Sequence, residues 1–267
     1  MTFDQICKII QLPSEVKDAI EIYKDREKSV LDNTLKNELR RRDSWDKAIC
    51  EIQKRIGEDP SGFHILSELL HCACDTWNDY DELKIDDSIF ADTMKFCTRF
   101  LQEHKKTYGN YVFTWAWWFP RQLALQEFRI GELEYEFVPF DEKRIYIHIP
   151  SDACLEPPAI QTSFDRFRNF LKKYFPDWTS VGWYCESWML SPVLTDLLPA
   201  HSNLLHFQKL FDLISIDYES MAVLDWVFPG EKPEFENLSE KTTLQRNLKQ
   251  FLISGKKFGW AEGKLHA

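Results

Sequence analysis

Apolar residues recur at helical spacing through the first 110 positions. Val16, Ile20 and Tyr23 are four and then three apart, and Ser14 stands where it can cap their helix. A charged helical stretch runs through Arg40-Arg41-Arg42 to Ile56 and is closed by Gly57 and Pro60. Ser61 opens the next helix, whose inward face is Ile65, Leu66, Leu69, Leu70, Ala73 and Trp77. Phe90, Met94, Cys97 and Leu101 mark another amphipathic helix. Residues 1–110 therefore read as an all-helical domain.

The period changes after Gly109-Asn110. A helix bearing Trp115 and Trp118 meets Pro120, which opens a further turn or kinks it. Then Leu133, Tyr135 and Phe137 alternate with Glu132, Glu134 and Glu136, and Ile145, Ile147 and Ile149 alternate with Tyr146 and His148. With Pro139 to Lys143 between them, these two runs predict an antiparallel hairpin. A helix follows with Phe164, Phe167, Leu171 and Tyr174 on one face, then a strand over Val181 to Leu190 and a helix over Asn203 to Asp212. Thr242 and Gln245 form a capping-box signature ahead of Leu244, Leu248 and Leu252, Gly255 stands where such a helix would end, and Phe258 and Trp260 suit a last short strand. Residues 111–267 thus predict an α/β (α+β) layer whose mixed sheet is mostly antiparallel and flanked by helices.

Composition narrows the classes. The 267 residues include 20 Phe, 10 Trp and 9 Tyr, far too aromatic for a disordered chain. The net charge of −10 is shared equally by the two parts, which argues against nucleic acid or an anionic membrane as partner and leaves a small molecule. No apolar run reaches the length of a membrane span, and no signal-peptide pattern is visible, so seven irregularly spaced cysteines are expected as reduced thiols in the cytoplasm. No glycine-rich dinucleotide or P-loop fingerprint occurs. His64, His71, Cys72 and Cys74 do not assemble a four-ligand set, so no metal is expected.

Several segments come in an order that resembles one family. They are Phe128-Arg129-Ile130-Gly131-Glu132-Leu133, Ile147-His148-Ile149-Pro150, Cys185-Glu186-Ser187-Trp188-Met189-Leu190, Leu197-Leu198-Pro199-Ala200-His201-Ser202-Asn203, Phe207-Gln208-Lys209-Leu210-Phe211 and Thr243-Leu244-Gln245-Arg246. The chain is similar to a two-part bacterial family with an N-acyltransferase N-terminal helical domain and a GNAT-like C-terminal domain. The resemblance implies a GNAT-like fold in residues 111–267 and acyl transfer from acyl-CoA.

That chemistry requires backbone donors for the cofactor pyrophosphate, two splayed strands to receive pantetheine, and groups to take and return a proton. The splay is expected between the strands at 144–149 and 181–189, with Ile149 on the strand that pantetheine would meet. Glu186 is the candidate base, His148 a candidate proton shuttle and Tyr184 a candidate donor to the leaving thiolate. A hydrogen-bonded surface or interlayer histidine and a packed tyrosine are the commoner roles of such residues. The turn Pro150 to Pro158 has no glycine and lacks the [RQ]-x-x-G-x-[GA] signature, so Ser151, Thr162, Ser163 and Arg166 are the residues expected to compensate. Trp183, Ser187, Trp188 and Gln208 are candidate substrate contacts. The alternative from another class is a GNAT-shaped binding or sensor module that has lost the pyrophosphate site and holds a small molecule against Trp183 and Trp188.

Overall fold

A computed structural model describes residues 1–24, 29–140 and 142–266. The chain divides into two compact units, Met1–Ile130 and Gly131–Ala267. Part of the stretch expected to be the charged helix, and residue 141 of the predicted hairpin turn, lie outside the described residues.

Unit 1 contains α1 (Phe3–Ile9), α2 (Ser14–Ile20), α3 (Asn33–Leu39), α4 (Trp45–Ile56), α5 (Phe63–Leu83), α6 (Asp87–Met94), α7 (Phe96–Tyr108), α8 (Pro120–Leu123) and a final strand, β1 (Glu127–Ile130). Ser14 is the first residue of α2 and does not cap it; Pro13 precedes it and fixes the entry. The charged stretch is two helices, α3 and α4. Between them the Ser44 hydroxyl donates to the carbonyls of Glu38 (3.0 Å) and Arg41 (3.3 Å). Asp59 joins Ser61 in opening α5: its carboxylate accepts the N–H groups of Phe63 (3.1 Å) and Ile65 (3.0 Å), and the Ser61 hydroxyl also accepts the Phe63 N–H at 3.4 Å.

The expected boundary after residue 110 is displaced, because residues 111–130 pack on the helices before them. The Phe113 N–H donates to the Ser61 carbonyl at 2.8 Å. A Cβ on Gly62 would lie 2.0 Å from the Phe113 carbonyl oxygen, so only glycine admits this approach, at φ +66°. Trp115 stacks on Phe100 with centroids 3.9 Å apart, Phe119 meets the edge of Phe96 at 4.7 Å, and Phe128 contacts Tyr80. The aromatic density that sets this segment apart in sequence serves the core of unit 1.

Unit 2 contains β2 (Leu133–Val138), β3 (Arg144–His148), α9 (Pro157–Tyr174), β4 (Trp183–Ser187), α10 (Leu194–Leu197), α11 (Asn203–Gln208), β5 (Phe211–Asp217), α12 (Val223–Val227), α13 (Thr243–Ile253) and β6 (Trp260–Leu265). Its strands lie in the order β2-β3-β4-β6-β5, with β3 and β4 parallel and the other pairs antiparallel. The predicted hairpin is present in register, Tyr135 opposite Ile147 and Phe137 opposite Ile145. The expected strand over Val181 to Leu190 is shorter. After Ser187 it passes into a 3₁₀ turn at Trp188–Leu190, where the Ser187 hydroxyl accepts the Met189 N–H at 3.1 Å. The helix expected to Asp212 stops at Gln208, and Phe211 begins β5, an exposed edge strand.

Alternation gives the sheet two unlike faces. Tyr135, Phe137, Ile145, Ile147 and Trp183 face α9, where Tyr135 stacks on Phe167 at 3.7 Å and Trp183 meets Phe167 at 5.0 Å. A second core gathers Trp188, Phe228, Leu248, Leu252 and Phe258 among α10, α12 and α13. The other sheet face carries Glu134 and Glu136 from β2, Arg144, Tyr146 and His148 from β3, Tyr184 and Glu186 from β4, and Glu262 and Lys264 from β6.

Candidate active site

The parallel pairing of β3 with β4 consists of Ile145 with Trp183 and Tyr146 with Tyr184. Both strands then continue, β3 to His148 and β4 to Ser187, without further pairing to each other. His148 and Glu186 each stand two residues beyond the last pair, on the face away from α9. The β3–β4 ladder is open beyond that pair, and both residues lie in its unpaired stretch.

The paired end of the same face is closed by a bridge across β4. Glu262 Oε1 accepts from Arg144 Nη1 at 3.1 Å and from the Tyr146 hydroxyl at 3.0 Å. The Tyr146 phenol is held above its ordinary pKa, first by burial and also by the Glu262 carboxylate, so it remains a protonated donor. Beneath the bridge, the Tyr184 ring lies under the Arg144 guanidinium (4.6 Å) and the Lys264 ammonium (5.7 Å). Its hydroxyl turns back over Gly182, where a Cβ would lie only 3.3 Å from it. The Tyr184 hydroxyl therefore points toward the paired end of the two strands.

At the open end, His148 Nε2 lies 2.9 Å from Glu136 Oε2. The Glu136 side chain is 7% exposed and that of His148 26%, so the imidazole links a buried carboxylate to the accessible face. Glu186 is exposed and lies opposite Glu262 in the β4–β6 register.

The remaining expected residues divide by burial. Ile149 follows β3 directly and is half-buried, while Ser151 and Arg166 are exposed. The Thr162 hydroxyl donates to the Pro158 carbonyl within its own helix at 2.8 Å. Ser163 is wholly buried, its hydroxyl 2.9 Å from that of Tyr135, and it does not present itself to a cofactor. Trp183 is buried against Phe164, Phe167 and Tyr135, and Trp188 belongs to the second core, so neither offers a face to substrate. Ser187 caps the 3₁₀ turn, and Gln208 Nε2 donates to the Ser191 carbonyl at 2.6 Å, which gives each a structural role. Cys185 is buried on the α9 side, and its thiol is pushed far above the ordinary range by burial.

The turn before α9 does not form a backbone cradle for phosphate. Pro157 and Pro158 bring no N–H, and those of Ala159 (3.0 Å) and Ile160 (3.1 Å) both donate to the Glu156 carbonyl. The Cys154 N–H is taken by Glu132 Oε2 at 2.7 Å, so a carboxylate of the chain itself occupies an anion position in this turn. Beyond Tyr146, by contrast, the edge of β3 that faces β4 carries no ladder pair, and an uncovered strand edge can pair with the amides of an extended ligand.

Glu136, Arg144 and Glu262 were not singled out by the sequence reading. The alternation of Glu132, Glu134 and Glu136 does assign Glu136 to the polar face. Its meeting with His148 depends on hairpin register, and that of Arg144 with Glu262 on the insertion of β4 between distant segments.

Sequence profiles match both units in turn. That of an N-acyltransferase N-terminal domain matches residues 1–125, and that of a GNAT-like C-terminal domain matches residues 128–265. No curated protein matches significantly. Among solved structures, an acyltransferase in complex with decanoyl-CoA and teicoplanin superposes with a TM-score of 0.76 at 19% identity, covering 98% of this chain and 86% of the other. An acyltransferase in complex with decanoyl-CoA superposes at 0.71 and 17% identity, covering 99% of both chains. These likenesses share the fold, and the profiles cover nearly the whole sequence. The chain belongs to the family that joins an N-acyltransferase N-terminal domain to a GNAT-like C-terminal domain.

Proposed function

We propose that the chain is an acyl-CoA-dependent N-acyltransferase acting on a small-molecule amine, with the reaction at the open end between β3 and β4. The observation that carries this reading is the end of β3–β4 pairing at Tyr146 and Tyr184, just before His148 and Glu186. Similar structures holding decanoyl-CoA or CoA support the same donor, and they weigh against a module that has lost its acyl-CoA site.

Acyl-CoA supplies an activated thioester carbonyl. The uncovered edge of β3 at His148 and Ile149 pairs with the pantetheine amides and aligns the carbonyl over the opening. With the N–H groups of Ala153, Cys154, Ala159 and Ile160 engaged within the chain, the exposed Ser151 and Arg166 hold the phosphates through side chains. His148 takes the proton as the amine nitrogen bonds to the carbonyl carbon, and Glu186 stabilises the charge that develops on the amine. When the C–S bond breaks, His148 returns that proton to the thiolate, leaving an amide and free CoA with protons balanced. The free thiols fit a reducing compartment, and we assign the activity to the cytoplasm.

The test is mass spectrometry of octanoyl-CoA mixed with a panel of primary amines and the enzyme. An amide product is expected with the wild-type chain. His148→Asn should lower its rate by about 10²- to 10⁴-fold, the usual worth of a general base, and Glu186→Gln should lower it as well. Octanoyl-CoA binding should persist in both. Equal rates in both variants and the wild type would overturn the assignment.

A further inference from the structure

Resting on the acyl-CoA reading, a contact at the end of β3 acquires a regulatory role. We propose that Glu132 is an autoinhibitory side chain. Its carboxyl oxygen holds the Cys154 N–H where a cofactor phosphate would bind, and acyl-CoA must displace it.

The hairpin brings the two residues together. In the β2–β3 register Glu134 lies opposite His148, so Glu132, immediately before β2, stands beside the point where β3 runs into the turn. There its Oε2 accepts the Cys154 N–H at 2.7 Å, across 22 residues of chain. A pantetheine arm along the end of β3 carries its diphosphate into this same turn, where Ser151 lies shortly before Cys154.

Other engaged donors of the turn are less readily exchanged. The N–H of Ala153 is held by the Pro150 carbonyl at 3.0 Å, and those of Ala159 and Ile160 by the Glu156 carbonyl at 3.0 and 3.1 Å. Backbone carbonyls leave only if the turn refolds. Glu132 is a side chain that rotates about single bonds, and the Cys154 that it holds is exposed. A phosphate oxygen and a carboxyl oxygen seek the same N–H, so one excludes the other. The block is one of occupancy, because the oxygen accepts whether or not the carboxyl is ionised. It acts only on ligands that bring a phosphate to the turn.

Octanoyl-CoA, and octanoyl-pantetheine, which lacks the diphosphate, separate the cases when each is titrated into the full chain. Glu132→Ala should raise octanoyl-CoA affinity by about 3- to 10-fold, the usual worth of one hydrogen bond, and leave octanoyl-pantetheine affinity unchanged. Glu132→Gln, whose amide oxygen still accepts, should stay nearer the wild type. The Cys154 amide should exchange its hydrogen faster in Glu132→Ala, and be slowed again by octanoyl-CoA but not by octanoyl-pantetheine. Where Glu132→Ala loses its fold by circular dichroism, Glu132→Met replaces it, keeping a long side chain without a carboxyl. Unchanged or weaker octanoyl-CoA binding in the folded variant would overturn the proposal, as would an equal gain for octanoyl-pantetheine. Both results leave the acyltransferase reading intact. Absence of octanoyl-CoA binding in the wild type and in every Glu132 variant would reject that reading, and the proposal with it.

Discussion

Burial decides which of the expected side chains can do chemistry. Ser163 and Trp188 have the right chemistry for contacts with a ligand, but one is bonded to Tyr135 and the other is packed beside Phe258. Trp188→Ala should therefore lower stability by about 3 to 5 kcal/mol, the cost of emptying a large core site, in a urea titration. Unchanged stability with a raised KM for octanoyl-CoA would return Trp188 to the substrate. Tyr135→Phe should cost about 1 to 2 kcal/mol through loss of a buried hydrogen bond. Gly131→Ala should also destabilise, since φ is +70° and a Cβ would press on the Ser163 backbone at 3.1 Å, where little can yield.

Among elements, those with a local signal were legible in the sequence. The capping box of Thr242 and Gln245 is formed, and Gly255 follows α13 at φ +78°. Thr242→Ala should therefore cost about 1 kcal/mol in thermal unfolding, and no change would mean that α13 is held by packing alone. The hairpin was legible because alternation of period two on both runs specifies strands and faces together. β5 was not: Leu204, Phe207 and Phe211 fit helical spacing, and Phe207 and Phe211 do meet, with rings 5.1 Å apart, across a helix-to-strand junction. An exposed edge strand with a bulge between Leu213 and Ser215 has no buried face to impose alternation. Of the site, His148 and Glu186 were legible as polar positions on predicted strands. The Arg144–Glu262 bridge was not, because it joins residues brought together only by sheet order.

At the scale of the whole chain, the unit boundary follows packing and not the change of sequence period. A fragment ending at residue 110 should lack cooperative unfolding, because it loses Phe113, Phe119 and Phe128 from the core of unit 1, whereas one ending at residue 130 should retain it. Cooperative unfolding of the shorter fragment would contradict the assigned boundary. Thiol accessibility follows the same division by burial. Cys50 and Cys154 should react first with a disulfide reagent, while Cys7 and Cys97, whose thiols burial pushes up to about 12, should react only on unfolding. Among the described residues no helix is long and apolar enough to cross a membrane.

The central claim is that the opening between β3 and β4 receives an acyl-CoA. Isothermal titration of the full chain with octanoyl-CoA tests it most directly, because binding needs no knowledge of the amine acceptor. The account predicts one saturable site whose affinity survives His148→Asn. The absence of saturable heat for every acyl-CoA from acetyl to decanoyl, up to millimolar concentration, would contradict it.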